Sequence, residues 1–141
     1  MKRKASAVWR GGLKDGRGSI STDSGVLRET QYSFNTRFEN GIGTNPEELI
    51  AAAHAGCFAM AFSAELGKAD IIPESISATA TVTLDKTEAG WTVTASHLDV
   101  TVRIPGANRV QVLGIANVAK LGCPISRLLK ANVTMDARLE G

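Results

Sequence analysis

Two cysteines, Cys57 and Cys123, are the only thiols in the 141-residue chain, and each follows a glycine, Gly56 or Gly122. A thiol beside a glycine leaves room for a substrate or another backbone to approach, and three readings of the pair are open. A cysteine in an Ala-rich run such as IAAAHAGCF is most often a small buried hydrophobe. A metal site could draw on His54, which sits one helical turn before Cys57 and shares its face, with Cys123 and His97 completing a two-Cys, two-His set. Against that, the chain has no CxxC or HxxxH pair of the kind that structural zinc sites usually carry. The third reading is redox chemistry, which needs a thiolate. Lowering a thiol by about two units from about 8.5 takes about 2.7 kcal/mol, within reach of one desolvated guanidinium. Arg37 could supply it, and Glu47 could hold that guanidinium by a two-point contact. Taken singly, a loop Arg is usually solvated and a Glu in a first helical turn simply favours the dipole, so the spacing opens these roles without assigning them.

These residues need elements to position them. In NPEELIAAAHAGCF (45–58), Asn45 can cap a helix, Pro46 suits its first position and Glu48 can complete a capping box. The helix is expected to run to about Lys68, before Ile72-Pro73. Residues 5–11 and 18–22 read as short strands around a Gly-rich turn, and 34–44 as loop. Residues 75–84 alternate cleanly, with Ile76, Ala78, Ala80, Val82 and Leu84 on one face. The return strand from Trp91 slips phase before Leu98, which predicts a bulge near Ser96–His97. A helix over 108–121 closed by Gly122, a short helix over 124–131 capped by Cys123 and a last strand through Val133, Met135, Ala137 and Leu139 complete an α+β domain spanning 1–141. As a helix cap, Cys123 would feel the positive end of the peptide dipoles, which favours thiolate.

Composition narrows the class. Hydrophobic residues make up 43% and charged ones 21%, ordinary for a globular protein. Aromatics are only 5%, so Ala, Val, Leu and Ile must supply much of the packing. Sixteen basic against fourteen acidic residues leave +2, too small an excess to argue for nucleic acid. The basic opening Met1-Lys2-Arg3-Lys4 has no apolar run behind it, and no stretch is expected to span a membrane. A cytoplasmic location is expected, where a structural disulfide would be unusual.

The stretch FNTRFENGIGTNPEELIAAAHAGCF (34–58), together with GCPISRLLK (122–130) and GRGSISTDSGVL (16–27), resembles the OsmC/Ohr family of thiol-dependent peroxidases, and its OsmC branch in the placing of Arg37. The resemblance implies an OsmC-like fold, with antiparallel sheets around a long central helix, in an intertwined homodimer. It implies that Cys57 is the peroxidatic cysteine and Cys123 its resolving partner, with Glu47 and Arg37 as the family's carboxylate and guanidinium. On the dipole argument alone Cys123 would be the more acidic thiol, whereas the resemblance gives first attack to Cys57. The implied substrate is an organic hydroperoxide, with hydrogen peroxide reduced more weakly, and an external dithiol, a lipoyl protein being one candidate, would reset the enzyme. No cofactor or metal is implied. Phe34, Phe38, Ile42 and Phe58 lie near these motifs and are expected to line an apolar pocket. The competing function is a metal- or ligand-binding dimer whose cysteines do no turnover.

Overall fold

The computed structural model describes residues 1–141, which divide into two compact units, Met1–Leu49 and Ile50–Gly141. In the first unit β1 (Ala5–Arg10), β2 (Arg17–Thr22) and β3 (Thr30–Tyr32) form an antiparallel sheet in that order. Gly18 in β2 faces the rings of Trp9 and Tyr32, whose centroids are 5.5 Å apart; a Cβ there would strike both side chains. The expected loop over 34–44 instead opens with a short helix, α1 (Phe34–Phe38). Ser33 and Thr36 form a reciprocal capping box, in which the Ser33 N–H donates to Thr36 Oγ1 at 2.8 Å and the Thr36 N–H to Ser33 Oγ at 3.4 Å. That Ser-x-x-Thr spacing was the available signal for a helix carrying Arg37.

The long helix, α2 (Pro46–Lys68), starts in the first unit and continues into the second. Asn45 caps it, accepting from the Glu48 N–H at 2.8 Å. Only half of the expected capping box forms, because the Glu48 carboxylate takes the Thr44 hydroxyl at 2.7 Å. The helix ends before Ile72-Pro73: Asp70 adopts φ 58°, and the Ile71 N–H reaches back to Leu66 O at 3.0 Å. One expectation needs correcting here, since α2 at 23 residues is long and apolar enough, by length and composition, to cross a membrane. The core helix of a globular unit passes the same test, and α2 buries Phe58, Phe62 and Leu66 in the hydrophobic cluster of the second unit.

That unit is built on β4 (Ser75–Thr87), β5 (Gly90–Arg103) and β6 (Asn132–Glu140), with β5 central. β4 and β5 pair antiparallel, but β6 runs parallel to β5, so this sheet is mixed. Parallel neighbours need a crossover, and α3 (Arg109–Gly122) followed by α4 (Pro124–Leu128) supplies it. Asn108 caps α3, accepting from the Gln111 N–H at 3.0 Å. α4 stops short of the expected 131 because Leu129 turns extended and leads into β6.

The register shift on β5 falls earlier than expected. Thr83 pairs with Ala95 and Leu84 with Val93, leaving Thr94 as the extra residue. Ser96 is fully buried in the inward row with Leu98, Val100 and Val102. A polar residue in that row looked outward in the sequence, which displaced the expected bulge by two positions. Leu98, Val100 and Val102 pack with Phe58, Phe62 and Leu66 of α2 and Val112, Ala116 and Ala119 of α3.

Candidate active site

Cys57 lies midway along α2 and is half-buried; Cys123 is fully buried where α3 ends and α4 begins. The structure places the two thiols close enough to act on one another's ionisation, and both are free. The Cys123 N–H closes α3 on Ala119 O at 2.9 Å, while its carbonyl accepts from Arg127 at 3.0 Å within α4. The residue is therefore held by backbone bonds on both sides. Burial pushes the Cys57 thiol above its ordinary value, and the contact with Cys123 adds to the rise. The Ile125 N–H beside the Cys57 sulfur pulls the other way. No cation is among the groups acting on this thiol.

One turn before Cys57 on the same helix, His54 is fully buried with both ring nitrogens engaged. Nδ1 is 2.7 Å from Ser96 Oγ on β5 and Nε2 is 2.8 Å from Ser126 Oγ on α4. Burial holds its pKa below the ordinary histidine value. His97, one residue past Ser96 on the strand, faces away from that row. Its Nδ1 meets Thr134 Oγ1 at 2.6 Å, and its Nε2 lies 3.2 Å from Asp136 and 3.8 Å from Asp99. The four residues of the two-Cys, two-His set are thus not gathered: His54 has no free nitrogen and His97 belongs to a carboxylate cluster on another face.

In the first unit Arg37 and Glu47 meet in a two-point ion pair, Nε to Oε1 at 2.7 Å and an NH2 contact to Oε2 at 3.2 Å. α1 presents the arginine and the first turn of α2 the glutamate. Asn45 ties the two segments, donating from Nδ2 to Thr36 O at 2.8 Å while capping α2. The guanidinium also lies 5.5 Å from the centroid of the Phe38 ring.

Beside this pair is an apolar cavity of about 260 Å³, lined by Trp9, Leu13, Tyr32, Phe34 and Phe38, with Arg37 at its wall. Phe34 and Phe38 pack at 4.9 Å between centroids. Two residues expected in such a pocket are not in it: Ile42 is 90% exposed, and Phe58 is buried in the core against Phe62. Trp9 on β1, Leu13 in the turn after it and Tyr32 at the end of β3 were not anticipated, because only folding of the first sheet brings them to Phe34 and Phe38.

Residues 38–138 match the family model for OsmC-like protein. The chain belongs to the OsmC-like family. It is 51% identical to Peroxiredoxin OsmC of Escherichia coli (strain K12) over 140 residues, covering 99% of this chain and 98% of that protein. It is 30% identical to the Organic hydroperoxide resistance protein OhrB of Bacillus subtilis (strain 168) over 137 residues, covering 96% of this chain and 95% of that protein. Among solved structures, that of OhrB from Bacillus subtilis superposes with a TM-score of 0.68 at 27% identity, covering 97% of this chain and 98% of that one. The OsmC-like protein of Mycoplasma pneumoniae gives a TM-score of 0.78 at 12% identity, covering 100% and 99%, and supports the fold alone. The α+β architecture, with two small sheets and a central helix, is that of the family.

Proposed function

We propose that this member of the OsmC-like family is a cysteine-based peroxidase that reduces organic hydroperoxides, and hydrogen peroxide more weakly. The observation that carries the reading is the neighbouring pair of free thiols, one half-buried and one fully buried. The names of the curated relatives, a peroxiredoxin and an organic hydroperoxide resistance protein, support the same chemistry. The Cys57 thiolate attacks the terminal peroxide oxygen. The O–O bond breaks, the alkoxide leaves as alcohol after taking a proton, and Cys57 becomes a sulfenic acid. The Cys123 sulfur then displaces water to form the Cys57–Cys123 disulfide. An external dithiol, with a lipoyl protein as one candidate, returns two electrons and two protons.

The raised pKa of Cys57 gives the second part of the proposal its motive. A thiolate at neutral pH needs a cation, and Arg37, held by Glu47, is the candidate to provide it. Glu47 and Cys57 are ten residues apart on one helix, about 15 Å along its axis. We therefore assign the Arg37–Glu47 pair of one copy to Cys57 of a second copy in a homodimer acting in the cytoplasm. The cavity of Trp9, Leu13, Tyr32, Phe34 and Phe38 beside Arg37 suits an apolar alkyl or aryl group, the basis for preferring organic hydroperoxides.

Thiol counting before and after one equivalent of cumene hydroperoxide, followed by non-reducing peptide mapping, tests the cycle. The expected result is loss of both thiols and an intrachain Cys57–Cys123 peptide. Over-oxidation of Cys57 alone, or disulfides only between chains, refutes the two-cysteine cycle. Unchanged thiols favour a binding protein without turnover.

A further inference from the structure

His54 takes no part in the peroxide chemistry above, yet it is fully buried and spends both ring nitrogens on serine hydroxyls. Burying an imidazole in an apolar cluster is costly unless its polar atoms are satisfied. The partners it has are informative. Ser96 belongs to β5, the central strand of its sheet, and is itself fully buried, so it is a fixed anchor. Ser126 belongs to α4, a helix of only five residues with no side-chain cap bond at its start. Such a short helix has little intrinsic stability, and tertiary contacts must hold it in place.

The start of α4 brings two groups to Cys57. Cys123, its N-cap residue, lies beside the Cys57 thiol, and the Ile125 N–H in its first turn acts on the same sulfur. Ser126 is the next residue along. One face of α2 therefore meets the first turn of α4 twice: Cys57 against Cys123 and Ile125, and His54, one turn earlier, against Ser126. Neither ring nitrogen is left for another partner, and nothing else in the unit gives Ser126 a side-chain hydrogen bond.

We propose that His54 is a positioning residue: bridging Ser96 and Ser126, it clamps the first turn of α4 so that Cys123 is presented to Cys57 for disulfide closure. This rests on the two-cysteine reading above and assigns the group that governs its resolving step. Closing the disulfide draws Cys123 onto Cys57, and a sulfenic acid that waits too long meets a second peroxide and passes to sulfinic acid. A clamp on α4 keeps the resolving sulfur at hand and favours closure over that loss. The imidazole acts through α4 and touches neither the peroxide nor the sulfur.

The test is an isosteric pair at the half-buried end of the clamp. Ser126→Thr keeps the hydroxyl, whereas Ser126→Val removes it at nearly equal volume. After mixing with cumene hydroperoxide, quenched-flow mass spectrometry follows the sulfenic acid, the disulfide and the sulfinic acid. Closure is expected to slow at least about tenfold in Ser126→Val, since misplacing reacting atoms by about an ångström costs up to about a hundredfold. Sulfinic acid should rise correspondingly, with Ser126→Thr within about twofold of the parent. The same closure is also driven by diamide, which takes two electrons and two protons from the dithiol and needs no peroxidase activity. Slow diamide closure in Ser126→Val beside a parent that ignores peroxide would sink the peroxidase reading and keep the clamp. Equal closure in the Thr and Val variants, with either oxidant, overturns the clamp whether or not peroxide is reduced.

Discussion

At the scale of single residues, the chemistry turns on how a half-buried thiol becomes a thiolate. Burial and the Cys123 contact push Cys57 up, and the Ile125 N–H opposes them only in part. If Arg37 supplies the missing charge, Arg37→Ala moves the pH midpoint of Cys57 alkylation upward. The rate of peroxide reduction then falls, by about tenfold for each unit that the midpoint rises above the assay pH, because only thiolate attacks. Arg37→Lys should also be poor, since an ammonium cannot keep both contacts to Glu47. An unchanged midpoint in Arg37→Ala would place its role elsewhere. His54 gives a separate prediction for stability. Its folded pKa lies below the ordinary 6.5, so the unfolded chain binds a proton that the folded chain refuses. Stability from this group is present above the unfolded value and is lost as pH falls from there toward the folded one, at up to about 1.4 kcal/mol per pH unit. Urea unfolding at about pH 7 and about pH 5.5 should show this loss in the parent and a smaller one in His54→Gln.

At the scale of elements, the placing of the Arg37–Glu47 pair depends on a corner built by one side chain. Asn45 caps α2 through its oxygen and ties the Thr36 carbonyl through its nitrogen. Asn45→Ala removes both bonds. The expected cost is about 1–2 kcal/mol by chemical denaturation, the upper range for a lost cap. Asn45→Asp keeps the cap but not the Thr36 bond and should recover about half of it. Equal stability of parent and Asn45→Ala would mean the corner is held by the Thr44–Glu48 contact instead.

At the scale of the whole molecule, the proposed site needs two copies. The outward residues of α2 include Ala52, Ala53, Gly56 and Met60, and a Cβ added at Gly56 meets nothing beyond its own helical turn within 4 Å. Two copies of α2 crossing antiparallel near Ala52 would bring Glu47 of one level with Cys57 of the other, and two-fold symmetry would make two such sites. Mixing Glu47→Ala and Cys57→Ser subunits tests the crossing. The heterodimer then holds one intact site and one lacking both residues, so about half the activity of a parent dimer should return. No recovery in a verified heterodimer would mean both residues must come from one chain.

Local signals determined much of this protein. The Asn45-Pro46 start of α2, the alternation in β4, the existence of α3 and the Pro124 start of α4 were all legible, because each is set by near neighbours in the chain. The motifs around Cys57 and Cys123 were enough to suggest the family. Tertiary structure decided what depends on groups far apart in sequence. Ser96 joins the inward row of β5 only because His54, 42 residues away, satisfies its hydroxyl, so the bulge lay at Thr94 and not beside it. His97 pairs with Thr134 and Asp136 because β6 lies parallel to β5, which no local pattern announces. Phe58 and Ile42 flank the motif as closely as Phe34 does, yet one turned into the core and the other into solvent. A side chain's type and spacing set what it can do, whereas burial and partners, which select among those possibilities, arise only when distant segments pack.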